Sequence, residues 1–105
     1  IERRRSLTGH QYRLLGHSLN KGINIEPYMT TLTEESEVFP LFQHPGMEYI
    51  YMLEGEMVYT HGDKSYHLRP GDSFLFDADG SHGPENLIKL PIRFLSVMVS
   101  QRSTE

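Results

Sequence analysis

The residues best suited to chemistry are His44, Glu48 and His82, in the stretches FQHPGMEYIYMLEGE and GDSFLFDADGSHGPEN. In an extended strand, residues two apart share a face. Phe42 and His44 therefore point the same way, and Pro45-Gly46 forces a turn that starts a return strand beside His44. Glu48 opens that strand, and Ile50 and Met52 continue its face. An imidazole and a carboxylate so placed on an apolar wall suit a divalent Fe, Mn, Ni or Zn ion. His82 offers a third ligand, and two histidines with one carboxylate leave open positions for substrate or oxygen. The alternative is a buried hydrogen-bonded His44–Glu48 pair with no metal.

The elements that must position these groups are strands. From residue 38 onward, the segments 38–43, 47–53, 56–60, 65–69, 73–77 and 92–99 are rich in β-branched and aromatic residues. Turn formers separate them: His44-Pro45-Gly46, Glu54-Gly55, His61-Gly62-Asp63-Lys64, Pro70-Gly71-Asp72, Asp79-Gly80 and a looser stretch over 83–91. Upstream, 11–15 and 23–32 read as extended, with turn formers over 16–22 and an acidic loop at Glu34-Glu35-Ser36-Glu37. No window holds a helical period. Many short strands with regular turns predict an all-β antiparallel sandwich or barrel.

The 105 residues suffice for one domain and one core. Six Tyr and five Phe supply most of the large side chains available to that core. The absence of cysteine excludes disulfides and thiolate sites and fits a reducing, cytoplasmic setting. No apolar run is long enough for a membrane span. A net charge of −4 makes the body of the domain a poor generic binder of nucleic acid. Arg3-Arg4-Arg5 reads as a solvated tail, and the glycine-containing stretch at 16–22 lacks the arrangement of a phosphate loop.

Set side by side, the two site stretches resemble the motifs of the cupin superfamily. His44 falls on the second histidine of the first motif, Glu48 on its glutamate and Gly55 on its closing glycine. Gly71, His82 and Asn86 fall on the first glycine, the histidine and the asparagine of the second. The departures are Phe42 for the first motif histidine, Ser36 for the opening glycine, and Asp77 and Asp79 for a proline and a glycine. The resemblance implies a small double-stranded β-helix, jelly-roll-like, that keeps three of four metal ligands.

EYIYMLEGEMVY and YHLRPGDSFLFDADGSHGPEN further resemble the C-terminal cupin of XRE-type helix-turn-helix regulators. That resemblance implies a small-molecule effector, a homodimer, and DNA binding only through a helix-turn-helix domain absent from these residues. Residues 1–10 are then expected to be a linker remnant and 11–105 the cupin domain, which also suits a chain without an initiator Met. The sensor is preferred to an enzyme. The alternative is an oxygenase or epoxidase similar to hydroxypropylphosphonate epoxidase, whose ligand set His44, Glu48 and His82 match in type and order.

The remaining candidates have plainer roles. Tyr49 and Tyr51 lie opposite in parity to Glu48 and are assigned to the outer face or a dimer interface. Tyr59, His61 and His67 are left out of the site. Asp77 and Asp79 read as solvated carboxylates, and Asn86 as a backbone cap in the loop after His82. Phe74, Phe76, Phe94 and Met98 are assigned to the core rather than a ligand box. Met29, Met47, Met52 and Met57 are assigned to gap filling.

Overall fold

The computed structural model describes residues 11–16, 18–20, 22–36 and 41–101. These form seven strands: β1 (Gln11–Leu14), β2 (Ser18–Asn20), β3 (Ile23–Leu32), β4 (Met47–His61), β5 (Lys64–Leu68), β6 (Ser73–Asp77) and β7 (His82–Gln101). All pair antiparallel in one sheet of order β1-β3-β7-β4-β5, with β2 added on β3 and β6 on β4. Among the described residues there is no helix. The fold is the all-β antiparallel architecture that the strand and turn pattern implied. Residues 1–10 and 38–40, read as a linker and as the start of a strand, lie outside the described residues.

Besides the short strand β2 that pairs with β3 inside the stretch 16–22 read as turn formers, two expectations are corrected. Glu54-Gly55 is not a turn between strands, because β4 runs unbroken from Met47 to His61. Its register against β7 slips repeatedly between Met52 and Met57, so the segment is bulged. Gly55 has φ +83°, and a Cβ there would press on the carbonyl oxygens of Pro91 and Lys89. Only glycine fits that approach. The bulge also changes phase: Glu48, Ile50 and Met52 point inward before it, Met57 and Tyr59 after it. One strand thereby lines two parts of the interior.

The second correction concerns 83–91. This stretch is the first half of β7, pairing with β4 from His61↔His82 to Glu56↔Lys89. Its residues from Glu85 to Pro91 are mostly exposed, so it carries none of the apolar alternation that marks a half-buried strand. Asn86, expected to cap a loop, instead lies on β7 opposite Val58 and is exposed.

Leu32, Ile50, Met52, Met57, Tyr59, Leu68, Phe76, Ile92 and Phe94 form the core. Met52 and Met57 are fully enclosed, in keeping with gap filling, whereas Met47 is exposed. Each fully buried side chain of this size contributes about 1.5–3 kcal/mol. The β3, β4 and β7 faces that supply this core continue past it to the predicted ligands: Met98 of β7 stands opposite both Glu26 of β3 and Glu48 of β4.

Candidate metal centre

His44, Glu48 and His82 come from three separate places. His44 belongs to the segment between β3 and β4, Glu48 is the second residue of β4, and His82 is the first of β7. Backbone bonds hold the His44 segment down. Phe42 N–H donates to His82 O (2.6 Å) and His82 N–H to Phe42 O (2.9 Å). His44 N–H donates to Ala78 O (2.9 Å), and Ala78 N–H to Gly46 O (2.8 Å). Gly46, at φ +98°, supplies the turn the sequence predicts at Pro45-Gly46.

The three heads converge. One donor atom from each lies within 4.8 Å of the others. His44 Nε2 and His82 Nε2 are each 3.3 Å from the same atom, Glu48 Oε1. The side chains of Glu48 and His82 are 5% and 1% exposed, that of His44 24%. Ser96 Oγ–H donates to Glu48 Oε2 at 2.6 Å. His82 Nδ1 sits 2.8 Å from Gly80 O, and His44 Nδ1 3.3 Å from Pro45 O. A carbonyl only accepts, so each Nδ1 carries the hydrogen of its bond.

That assignment settles the electrostatics. With Nδ1–H engaged, a neutral imidazole presents its Nε2 lone pair to Glu48 Oε1, which is itself an acceptor. Two lone pairs and a carboxylate oxygen facing one another need positive charge between them. Either each ring takes a second proton or a cation occupies the place. Imidazole nitrogen and carboxylate oxygen are ordinary donors for Zn, Fe, Mn or Ni, and carbonyl-bound Nδ1–H groups are the usual support of metal-ligating histidines. The residues present therefore fit a divalent ion.

Burial by itself raises the Glu48 pKa, since it disfavours the charge. Where the rings carry the second proton, hydrogen bonds from His44 and His82, together with that from Ser96 and the charge of His82, outweigh it and hold the pKa at about 2. The carboxylate is thus kept ionised in a place where it is nearly sealed from water.

Beside the triad is a cavity of about 30 Å³, lined by residues that include Thr30, Phe42, Tyr59, Phe94, Ser96 and Met98. Tyr59, left out of the site on sequence, is buried, with its ring plane 25° from that of His82 at a centroid distance of 6.4 Å. Phe94 and Met98, assigned to the core, also line the cavity. Thr30 and Ser96 had no sequence signal beyond their parity on strands, because which of several inward residues meets the site depends on register between β3, β4 and β7. His61 Nε2 bonds Asp77 O (2.8 Å) and His67 pairs with Glu56 (2.8 Å). Both lie outside the site, as expected. Asp77 and Asp79 are exposed.

The comparisons with known proteins bear on the fold. No curated protein sequence matches the chain. Among solved structures, an HTH_3 family transcriptional regulator from Vibrio cholerae is similar at 20% identity and TM-score 0.67, over 90% of this chain and 52% of that one. Hydroxypropylphosphonic acid epoxidase from S. wedmorenis is similar at 19% and 0.69, over 86% and 50%. KdgF from Halomonas sp. is similar at 18% and 0.73, over 94% and 87%. The chain thus spans about half the length of the regulator and of the epoxidase, and at these identities the likeness shows the fold. The Cupin domain family model matches residues 29–98, more than half of the sequence and all three converging side chains, and the chain belongs to that family.

Proposed function

We propose that this domain is the effector-sensing cupin of a transcriptional regulator, with a divalent cation held by His44, Glu48 and His82. The observation that carries the metal is the pair of Nε2 atoms aimed at one ionised carboxylate oxygen, each ring with its Nδ1 already engaged. A cation there supplies Lewis acidity, orienting an oxygen ligand and making bound water more acidic. The chain's own residues do the rest. Ser96 fixes the second carboxylate oxygen, Phe42 closes the side where the family places another histidine, and Tyr59 and Phe94 keep the wall apolar.

Phe42, standing where the family places another histidine, supports sensing over turnover, because sensing needs shape and polar contacts rather than a complete ligand set. One water needs about 10–15 Å³, so the inner cavity of about 30 Å³ accommodates an ion and roughly one further atom in either reading. In the sensor reading the domain dimerises, and a bound effector alters the dimer and, through a linker, the spacing of two DNA-binding domains in the cytoplasm. The second reading, an oxygenase or epoxidase, draws on the two-histidine, one-carboxylate composition, which leaves open coordination positions.

Elemental analysis and anomalous diffraction on protein purified without added metal test the site. The expected result is an ordered ion beside Glu48 that is lost in His82→Ala; a clean absence of any ion in the unmutated protein overturns the metal reading. Light scattering is expected to give a dimer at micromolar concentration. Turnover with Fe(II) and oxygen by this domain alone, abolished in His82→Ala, replaces the sensor with the oxygenase.

A further inference from the structure

Thr30 is out of place for a structural residue. It lies on the inward face of β3, between Tyr28 and Leu32, opposite Phe94 of β7. Its exposure is 1%, and its Oγ1 is the one buried side-chain nitrogen or oxygen among the described residues with no hydrogen-bond partner. A hydroxyl buried without a partner is costly, and a native fold keeps one when something outside the protein completes it. Thr30 lines the same cavity as the triad.

A second cavity adjoins the first. It has a volume of about 270 Å³ and is lined by Glu26, His44, Pro45, Met98, Ser100 and Gln101. His44 and Met98 line both compartments. The two volumes together reach the lower end of the range for small-molecule pockets, about 300 Å³. The inner part is sized for an ion and one further atom. The outer part is sized for the body of a small molecule, and among the described residues that line it the carboxylate is that of Glu26.

We propose that Thr30 is a positioning residue for a single anionic oxygen of the ligand, and that Glu26 selects the rest of the molecule. The reasoning is one of charge. Two neutral imidazoles, one carboxylate and a divalent ion leave a net charge of +1, which attracts a monoanion, and the Thr30 hydroxyl donates to its oxygen. Glu26, on the wall of the outer compartment, repels a second anion and accepts bonds from hydroxyl or ammonium groups. The ligand class is therefore a small monoanion, of which a carboxylate is the simplest, on a slim stem with a neutral or cationic hydrogen-bonding body. Dianions are excluded. This inference rests on the metal-bearing reading above.

The test uses the Zn(II)-loaded protein, with acetate as probe for the inner oxygen and β-alanine against succinate as probes for the body. Calorimetry is expected to show acetate binding, and β-alanine binding about tenfold tighter than succinate, a preference that Glu26→Gln removes. Thr30→Val keeps the branched shape. It is expected to bind Zn(II) as the unmutated protein does, to raise the unfolding midpoint of the ligand-free protein by removing the orphan hydroxyl, and to weaken acetate about tenfold or more. Thr30→Ser is expected to restore acetate binding. Failure of the unmutated protein to bind Zn(II) sinks the metal reading and this inference together. Zn(II) binding without acetate binding, equal acetate affinity in Thr30→Val, or loss of Zn(II) in that variant each overturn the role of Thr30 alone. Equal affinity for β-alanine and succinate overturns that of Glu26.

Discussion

Replacing Glu48 by Gln keeps the shape of the side chain and removes its charge, which isolates the electrostatic part of the site. Glu48 is 4% exposed, and its pKa falls from an ordinary 4.5 to about 2 in the folded protein. A carboxyl depressed in this way stabilises the fold above its unfolded value and stops doing so as pH falls through its folded value. The drop corresponds to about 3 kcal/mol, fully present above pH 4.5 and gone near pH 2. Glu48→Gln in chelator-treated protein is therefore expected to lose about 3 kcal/mol at pH 7. With a urea slope of about 1–3 kcal/mol/M, the midpoint moves down by roughly 1–3 M. The decisive measurement is the gap between the two proteins in urea titrations from pH 7 to pH 2.5. The gap is expected to hold constant down to about pH 4.5 and then narrow, because protonated Glu and Gln are alike in size and charge. A gap that does not change with pH refutes the argument, since the lost stability would then owe nothing to ionisation at Glu48.

Phe42→His returns a fourth donor to the wall facing His82, and Zn(II) affinity measured by competition with a chromophoric chelator is expected to rise at least tenfold. Zn(II) affinity in the unmutated protein is expected to fall as the solution is acidified, because a metal-binding imidazole must be unprotonated; the same titration checks it. Gly55→Ala forces a Cβ to within 2.6 Å of Lys89 O at a backbone conformation unsuited to alanine. Thermal unfolding is expected to show a loss of about 2 kcal/mol or more. Met57→Ala empties a fully buried core position and is expected to cost about 2–5 kcal/mol by the same measure.

The parts of this molecule legible in its sequence are those written locally. Alternation over 47–52 gives the inward face of β4, and the two motif stretches give both the fold and the three residues that the structure brings together. What failed depends on tertiary context. Glu54-Gly55 has the composition of a turn, but Gly55 is used to let β7 approach closely in mid-strand. Residues 85–91 are mostly exposed, with Leu87, Ile88 and Leu90 mixed among Glu85, Asn86 and Lys89 without alternation, because that half of β7 covers little core, so periodicity had nothing to register. Tyr59 joins the cavity only because the bulge shifts the phase of β4 by one residue. Thr30 and Ser96 are unremarkable on their strands and acquire meaning from the cross-strand register that sets them on the wall shared with Glu48.

The backbone ties between Phe42 and His82, and between His44 and Ala78, join the short stretch ahead of β4 to the beginning of β7. An ion gripped by His44 and His82 would act as a clasp across that same seam. Occupancy would then be readable far from any spectroscopic signal of the metal, as slower solvent exchange at the amides of Phe42, His44 and Ala78. If the domain serves the regulator proposed above, whatever precedes this stretch along the chain would feel the clasp close.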